Sequence, residues 1–326
     1  QMRNLKRALS LALALVMVVS MMVVGAGAVS VDDFSDADEI VNKEAVTVLA
    51  TLGVITGNDD GSYAPADTIS RAEMSTIICR VLNGGKDPVL GESVTNTYTD
   101  TASHWAKNYI EYCTTLGIIA GKGDGTFDPE GDVTVAEAAK MVLVALGYNA
   151  PMEGYTGANW QINVDARANP LGLYDDLTYT TTSAPLTRDN AAQMLYNALD
   201  CDMVKYSVVL DTTSSTVIST TQLEVTDETL LEDKFNAVKV EGVVIANEEA
   251  NLEASASGNG TSLEAGKTKI QIDGEADQDF YLGTKTFSVS SSLDELGRYV
   301  AIYVKKENNS ANAQVLGSVI VSEDNK

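Results

Sequence analysis

Apolar residues recur at helical spacing through the first two thirds of the chain and alternate with polar residues in the last third. In residues 43–52 and 74–82 they fall every one to four positions, on one face of a helix. The turn-rich stretch VITGNDDGSYAPADTI lies between these two segments. After Asp202, β-branched residues dominate segments such as AVKVEGVVIA and YVAIYVKK, which predicts strands.

A helix, a glycine-rich loop and a second helix form a unit that is repeated. Gly53 and Leu82 of the first copy correspond to Gly117 and Leu146 of the second, at the same offset along the chain. A fixed offset is typical of tandem repeats, in which neighbouring units bury one continuous core. The best copy is residues 98–148.

A third and weaker copy follows the second. Trp160 precedes Gly172 by the spacing at which Trp105 precedes Gly117, and AAQMLYNAL matches AAKMVLVAL of the second copy. The sequence therefore predicts an α+β multidomain chain, with a helical three-repeat part followed by a small, antiparallel, barrel-like β domain. Its predicted parts are repeat one at 29–83, a linker at 84–96, repeat two at 97–150, a divergent repeat three at 151–202, and the β-rich domain at 203–326.

Two of the predicted helices begin with a capping box. Ser70 is followed three residues later by Glu73, and Thr134 by Glu137. In this motif each of the two side chains accepts a hydrogen bond from the backbone amide of the other residue. We therefore interpret Glu73 and Glu137 as helix caps and not as catalytic acids.

Residues 1–28 have the pattern of a secretory signal peptide. Arg3, Lys6 and Arg7 precede the apolar run 8–24, and the small residues 26–28 follow it as a cleavage site. The alternative is an N-terminal membrane anchor, although a run of about 17 residues is at the short limit for a span. No second apolar run of spanning length follows, so we expect no membrane span once the signal is cleaved.

The charge of the chain excludes several classes of partner. Its formal net charge is -24. A field of that sign repels nucleic acid and anionic membranes, so neither is an expected partner.

The residues that bind metals or form catalytic triads are scarce. The chain has one histidine, His104, which is too few for a zinc site or a Ser–His–Asp or Cys–His triad. The glycine-rich loops fail the EF-hand pattern, so we predict no metal and no cofactor. We interpret Cys79, Cys113 and Cys201 as small buried thiols, with a disulfide or a reactive thiol as the alternative.

One spaced motif carries a family resemblance. It is best developed in the second repeat, and the Ser70-Arg71-Ala72-Glu73 tetrapeptide of the first repeat is a form of its final element. The motif is Tyr98-x-Asp100, His104-Trp105-Ala106, Gly117-Ile118-Ile119-x-Gly121-x-Gly123-Asp124-Gly125-Thr126-Phe127-x-Pro129 and Thr134-x-Ala136-Glu137. This pattern resembles the S-layer homology domain, over roughly residues 34–200.

The resemblance implies a fold and a function. Domains of this family are three-pronged pseudo-trimers, in which one helix of each repeat joins a central bundle. They hold exported proteins on Gram-positive-type cell walls by binding a secondary cell-wall polysaccharide, commonly one with pyruvate-ketal sugars. The resemblance therefore implies a secreted, non-enzymatic protein of the cell wall or S-layer. Its implied partners are a polymer linked to peptidoglycan and other S-layer subunits.

The resemblance also implies ligand-binding residues in grooves between neighbouring prongs. An arginine fork binds a carboxylate in two places, a tryptophan offers an apolar wall to a sugar, and glycine lets the backbone approach closely. The matching residues in this chain are Arg71, Arg188, Trp105, Trp160, Asp36, Asp100, Gly57 and Gly121.

No single repeat carries the complete set. The second repeat has Val135 at the arginine position, the first has Val41 at the tryptophan position, and the third has Tyr155 at the aspartate position. Because the grooves form between repeats, we expect partial sets to combine into at most two working sites.

Alternative interpretations remain for these residues and for the whole chain. Arg71 and Arg188 could be ordinary exposed arginines at helix starts, Trp105 could be core, and Trp160 could be structural. The β domain could instead belong to a wall-anchored polysaccharide hydrolase, or to an adhesin that binds a glycan.

Overall fold

Six helices form three pairs, and each pair is joined by a loop. The computed structural model describes residues 31–89, 96–211, 218–253, 261–272, 283–306 and 315–320, and the predicted signal peptide lies outside these ranges. The helices are α1 (Lys43–Thr51), α2 (Arg71–Leu82), α3 (Lys107–Thr115), α4 (Val135–Ala145), α5 (Trp160–Ala168) and α6 (Arg188–Leu199).

Both predicted capping boxes are present. The Ser70 hydroxyl accepts from the Glu73 amide, and the Glu73 carboxylate accepts from the Ser70 amide at 2.8 Å. Thr134 and Glu137 form the same reciprocal pair at the start of α4. These bonds satisfy amide groups that have no partner within the helix, so they define where each helix begins.

A ring of three backbone hydrogen bonds joins the segments that lead into α2, α4 and α6. The amide of Ile69 donates to the carbonyl of Leu186 at 2.9 Å, Val133 donates to Ile69 at 3.1 Å, and Leu186 donates to Val133 at 2.8 Å. All three side chains are buried. The three helix pairs are therefore related by an approximate threefold rotation about this ring.

Each second helix packs against the first helix of another pair. α2 packs against α3, α4 against α5, and α6 against α1, while α4 also contacts α2 and α6 at the centre. Within the described residues, no helix is both long and apolar enough to cross a membrane.

The remaining elements are mostly antiparallel strands. β1 (Asp202–Asp211) and β2 (Ile218–Thr229) form a hairpin, and the short helix α7 (Leu230–Phe235) follows it. The other strands form a sheet in the order β5-β4-β3-β6-β7, from β3 (Ala237–Ala246), β4 (Thr268–Ile272), β5 (Gly283–Phe287), β6 (Tyr299–Lys305) and β7 (Val315–Ile320).

The antiparallel sheet agrees with the sequence prediction, whereas barrel closure is not confirmed. In the part of the chain that the structure describes, β5 and β7 remain at opposite edges of the sheet. A barrel would require those two edges to pair.

The two faces of the sheet are buried against different partners. Ala301 and Tyr303 of β6 join the core of the helical repeats, together with Ala237 of β3. Ile302 and Val304, which point to the opposite face, belong to a smaller apolar cluster. The two parts of the chain therefore share a core across the boundary predicted at residue 203.

Each of the first two loops is tied to an upstream segment through one aspartate. The Asp36 carboxylate accepts from the amides of Tyr63 and Ala64 at 2.8 and 2.7 Å. Asp100 accepts from the amides of Phe127 and Asp128 in the same way. Burial alone would raise the pKa of Asp36, but the backbone hydrogen bonds hold it below its ordinary value.

Replacing Ile69 with alanine tests how tightly the side chains pack around the ring. Because Ile69 is 1% exposed, we expect Ile69→Ala to lower the free energy of unfolding by about 3 kcal/mol through lost burial and the cavity left behind. Urea unfolding followed by circular dichroism measures the change. Val89→Ala is the control, since Val89 is 99% exposed, and an equal loss in both variants would contradict the packing described.

Asp36→Asn tests the tie between the first loop and its upstream segment. A carboxyl group whose pKa is lowered in the folded state stabilises the fold above its ordinary pKa, and this stabilisation is lost as the pH falls. We therefore expect Asp36→Asn to cost about 1 kcal/mol at pH 7, with a smaller difference from wild type at pH 3. Asp38→Asn, at an exposed position, should change little at either pH. A loss as large at pH 3 as at pH 7 would exclude the charged form as its cause.

Candidate functional site

Two grooves lie at equivalent positions between the helix pairs. Groove 1 has a volume of about 580 Å³ and groove 2 of about 370 Å³. The lining of groove 1 includes Gly57, Asp59, Glu73, Thr76, Ile77, Arg80, Trp105 and Arg188. The lining of groove 2 includes Gly121, Lys122, Glu137, Lys140, Met141, Trp160 and Arg71.

All three helix pairs contribute to each groove. In groove 1 the loop and α2 belong to the first pair, Trp105 precedes α3 of the second pair, and Arg188 begins α6 of the third. In groove 2 the loop and α4 belong to the second pair, Trp160 begins α5, and Arg71 begins α2. The arginine and the tryptophan of one groove therefore never come from the same repeat.

The approximate threefold rotation places the missing arginine and the missing tryptophan at the same junction between helix pairs. Val135 replaces the arginine and Val41 replaces the tryptophan, and both correspond to the junction between α6 and α1. Val135 is buried, and its amide donates to Ala184. The adjacent Asn42 is bound to the Asp189 carboxylate at 2.7 Å. Although the first and second repeats each lack one of these residues, grooves 1 and 2 each keep an arginine and a tryptophan. Both missing residues fall at the third junction, between α6 and α1.

The arginines are stacked onto the neighbouring loop and are not freely exposed. Nε of Arg71 donates to the Phe127 carbonyl and Nη2 donates to the Ala120 carbonyl, both at 2.9 Å. The guanidinium carbon lies 4.3 Å from the centre of the Phe127 ring. Two of the five N–H groups of Arg71 are used by these bonds, which leaves the others for a ligand.

Arg188 differs from Arg71 because a carboxylate neutralises it. Its Nε donates to the Tyr63 carbonyl at 2.9 Å, and its Nη1 lies 2.6 Å from Oε1 of Glu73. Arg71 forms no such ion pair with a carboxylate in the described ranges, and burial lowers its pKa. Glu73 therefore combines helix capping with an ion pair that its counterpart Glu137 does not make.

The charges that line the two grooves differ as well. The lining of groove 2 carries Arg71, Lys122 and Lys140 against one carboxylate, that of Glu137, and Nζ of Lys122 also lies 3.4 Å from the Asp128 carboxylate. Groove 1 instead balances its two arginines with two carboxylates, those of Asp59 and Glu73. Groove 2 is therefore locally positive in a chain whose net charge is -24.

Both tryptophans line a groove, and Trp160 also packs against the main core. Trp105 is 59% exposed, which excludes the alternative that it packs between helices. Trp160 is half-buried, and Nζ of Lys140 lies 5.7 Å from the centre of its ring. Each ring therefore offers a face on which a sugar could stack.

The glycines line the grooves, whereas the aspartates do not. Gly57 and Gly121 lack room for a side chain, since a Cβ on Gly121 would lie 2.4 Å from the Tyr98 ring and 2.6 Å from the Thr126 carbonyl. Asp36 and Asp100 hold the loops from outside and are absent from both linings. Their contact with a ligand stays a prediction, and the structure gives them a role in the fold.

Sequence reasoning missed Lys122 and Lys140. The family motif does not include them, and lysines in an acidic chain are ordinary surface residues. The available signal was the comparison of the repeats, because the first repeat has Asn58 and Thr76 at the corresponding positions.

Comparison with known proteins agrees with this architecture. Residues 33–75 and 97–139 match the model of the S-layer homology domain. The middle cell wall protein of Brevibacillus brevis is 28% identical over 282 residues, which cover 85% of this chain and 25% of that protein. A cell surface protein of Thermoanaerobacter kivui is 30% identical over 207 residues, or 63% of this chain and 26% of that protein.

The matched relatives also include an enzyme. An exoglucanase of Acetivibrio thermocellus is 29% identical over 182 residues, which cover 51% of this chain and 16% of that enzyme. This chain spans about a quarter of the length of the first two relatives.

These matches place the protein at the cell wall or S-layer surface of a Gram-positive-type bacterium. The family model matches the first two helix pairs as far as the start of their second helices, and the third pair lies outside the matched residues. Residues 33–75 and 97–139 are therefore S-layer homology repeats, in a chain related to cell-wall and cell-surface proteins.

Proposed function

We propose that the helical part of this protein anchors it to the cell wall by binding a secondary cell-wall polysaccharide in grooves 1 and 2. The observation that carries this proposal is groove 2, which Arg71, Lys122 and Lys140 line together with a half-buried tryptophan. A concave site that combines cations with an aromatic face suits an acidic sugar. The third helix pair acts in this proposal as a third, divergent repeat, since it supplies Arg188 and Trp160.

The ligand of groove 2 is a sugar that carries a carboxylate, such as a pyruvate ketal. The free N–H groups of Arg71 donate to the carboxylate, and the lysines on either side add charge attraction. Trp160 packs against the apolar face of the sugar ring. Because the net charge of -24 repels an anionic polymer at long range, this local set of cations must supply the attraction.

Groove 1 binds a less acidic part of the same polymer. The Arg188 guanidinium is occupied by Glu73 at 2.6 Å, so binding a carboxylate there would require that ion pair to break. Trp105 remains available for stacking because it is 59% exposed. Two unlike grooves on one domain would bind two units of a polymer and increase its avidity.

The β region is proposed to contact other surface-layer subunits. Its five-stranded sheet already covers the helical core with one face. A wall-anchored hydrolase is the alternative, and the exoglucanase relative is what favours it. Hydrolysis needs two carboxylates across a cleft, one of them free to donate a proton. In groove 1, Glu73 is held by both the helix cap and Arg188, so we assign no catalytic role there.

Removing the cations of groove 2 tests the proposal. We expect Lys122→Asn and Lys140→Thr, which introduce the residues of groove 1, to weaken binding to purified walls about three- to tenfold each. Arg71→Ala should weaken it about ten- to hundredfold, since hydrogen bonds to a charged group contribute about 1.5–3 kcal/mol. The measurement is co-sedimentation of the full chain with walls, compared with walls stripped of their secondary polymer.

The matched control is Arg188→Ala in groove 1. We expect a smaller loss of binding than for Arg71→Ala, together with lower stability because Glu73 loses its partner. Circular dichroism of each variant separates misfolding from lost binding. Equal pelleting with intact and stripped walls would contradict recognition of the polymer. Equal losses from the two arginine variants would contradict the difference between the grooves.

A further inference from the structure

Two thiols from different repeats meet in the core. Cys79 lies on α2 and Cys113 on α3, and their Sγ atoms are 3.3 Å apart. Both residues are 0% exposed. Cys201 lies elsewhere, where its Sγ contacts the carbonyls of Leu171 and Asn197.

Each thiol is directed across the junction between the helices. Sγ of Cys79 donates to the Tyr109 carbonyl of α3 at 3.3 Å, and Sγ of Cys113 donates to the Ser75 carbonyl of α2 at 3.5 Å. A disulfide has an S–S distance of about 2.05 Å. The two sulfur atoms therefore need to approach by little more than 1 Å, which rotation of the side chains and a small shift of two packed helices can supply.

The repeat architecture does not explain the pair. The positions that correspond to Cys79 are Leu143 in α4 and Tyr196 in α6, and those that correspond to Cys113 are Leu49 in α1 and Ala168 in α5. The other two junctions therefore have no cysteine at these positions. Packing at this position accepts several side chains, so two thiols in contact call for a different reason.

We propose that Cys79 and Cys113 form a disulfide that joins the first repeat to the second in the protein at the cell surface. Disulfides persist outside the cytosol, where the reducing systems that keep thiols free are absent. The bond would close a loop between residues 79 and 113, which includes the connection from α2 to α3.

The bond forms by exchange with a disulfide oxidant, either a protein disulfide or a small-molecule disulfide. One cysteine thiolate attacks a sulfur of the oxidant and releases the first oxidant thiol, which leaves a mixed disulfide. The second cysteine thiolate then attacks the cysteine sulfur of that mixed disulfide and releases the second oxidant thiol. Overall, two cysteine thiols and one disulfide become one new disulfide and two thiols.

The surroundings determine when this exchange can occur. The hydrogen bond with Cys113, together with burial, raises the pKa of the Cys79 thiol well above its ordinary value. The attacking species is the thiolate, which is therefore scarce once the core has formed. The exchange belongs to the period of folding after export, before α2 and α3 close over the two sulfur atoms.

The bond would also fix one wall of groove 1 to another. α2 lines groove 1 through Thr76 and Ile77, and Trp105 lies just before α3. Groove 2 has Leu143 and Ala168 at the matching positions between its walls, and these residues cannot form a disulfide. The bond would therefore connect the walls of groove 1 only. This inference does not depend on which ligand the groove binds.

Counting thiols in the full chain tests the proposal. The chain is secreted from a Gram-positive expression host or retained in a reducing cytosol, then denatured, alkylated with N-ethylmaleimide and weighed by mass spectrometry. We expect one of three thiols to be modified in the secreted form and all three in the cytosolic form. In peptides from the secreted form, Cys79 should be disulfide-linked to Cys113. Three modified thiols in the secreted form, or a bond to Cys201, would overturn the proposal.

Reduction of the folded protein supplies a second readout. We expect a reductant to lower the melting temperature of the secreted wild type and of Cys201→Ala by several degrees, because the unfolded chain regains the freedom that the bond removed. The double variant Cys79→Ala/Cys113→Ala should show no shift. A wild-type melting temperature that does not respond to reduction would also overturn the proposal, and the mass measurement needs no variant to fold.

Discussion

Three backbone hydrogen bonds around a common axis determine how this protein is built. Ile69, Val133 and Leu186 each donate to one of the other two and accept from the remaining one. A ring of this kind has no free member, because opening any one bond leaves a buried donor and a buried acceptor without partners. The segments that enter α2, α4 and α6 are therefore held in fixed relative positions.

That constraint explains why every groove needs three repeats. At the start of each second helix, the backbone amide of its first residue donates to the neighbouring repeat, as Arg71 does to Gly131 and Arg188 to Asp67. The arginine side chains are consequently carried onto the Phe127 and Tyr63 rings of the next loop. An isolated helix pair would contain either the arginine or the loop that orients it, but not both.

The same geometry allows the repeats to diverge while two grooves keep both an arginine and a tryptophan. Val135 and Val41 look like losses from two different repeats, yet the rotation places both at one junction. The two remaining junctions then differ in charge through Glu73, Lys122 and Lys140. In our account, one groove specialises for an acidic sugar while the other retains an aromatic face and a neutralised arginine.

Much of this organisation could be predicted from sequence, because it depends on local signals. The capping boxes, the helical spacing and the period-2 strands each reflect the chemistry of neighbouring residues. The third helix pair was harder to identify, since the segment after Trp160 has weak helical character and forms α5 mainly through its packing against α4.

Other features depend on contacts that no local pattern contains. The neutralisation of Arg188 by Glu73 joins residues 115 positions apart, and the contact of Cys79 with Cys113 joins two helices. Barrel closure was also beyond a local argument, because alternation predicts strands but does not determine whether the first and last strands pair. The domain boundary at residue 203 stays a prediction, since the change in sequence pattern does not show that Ala237, Ala301 and Tyr303 join the core of the helical repeats.

A double-mutant cycle on wall binding tests the central claim, that each groove combines residues from different repeats. The cycle compares Arg71→Ala with Trp160→Ala and, separately, Arg71→Ala with Trp105→Ala, using the affinity of the full chain for purified walls. Residues that share one ligand show interaction energies of about 0.5–3 kcal/mol, whereas distant ones add within about 0.5 kcal/mol. We predict strong coupling between Arg71 and Trp160 and additivity between Arg71 and Trp105. Coupling of Arg71 to Trp105 instead would contradict the account.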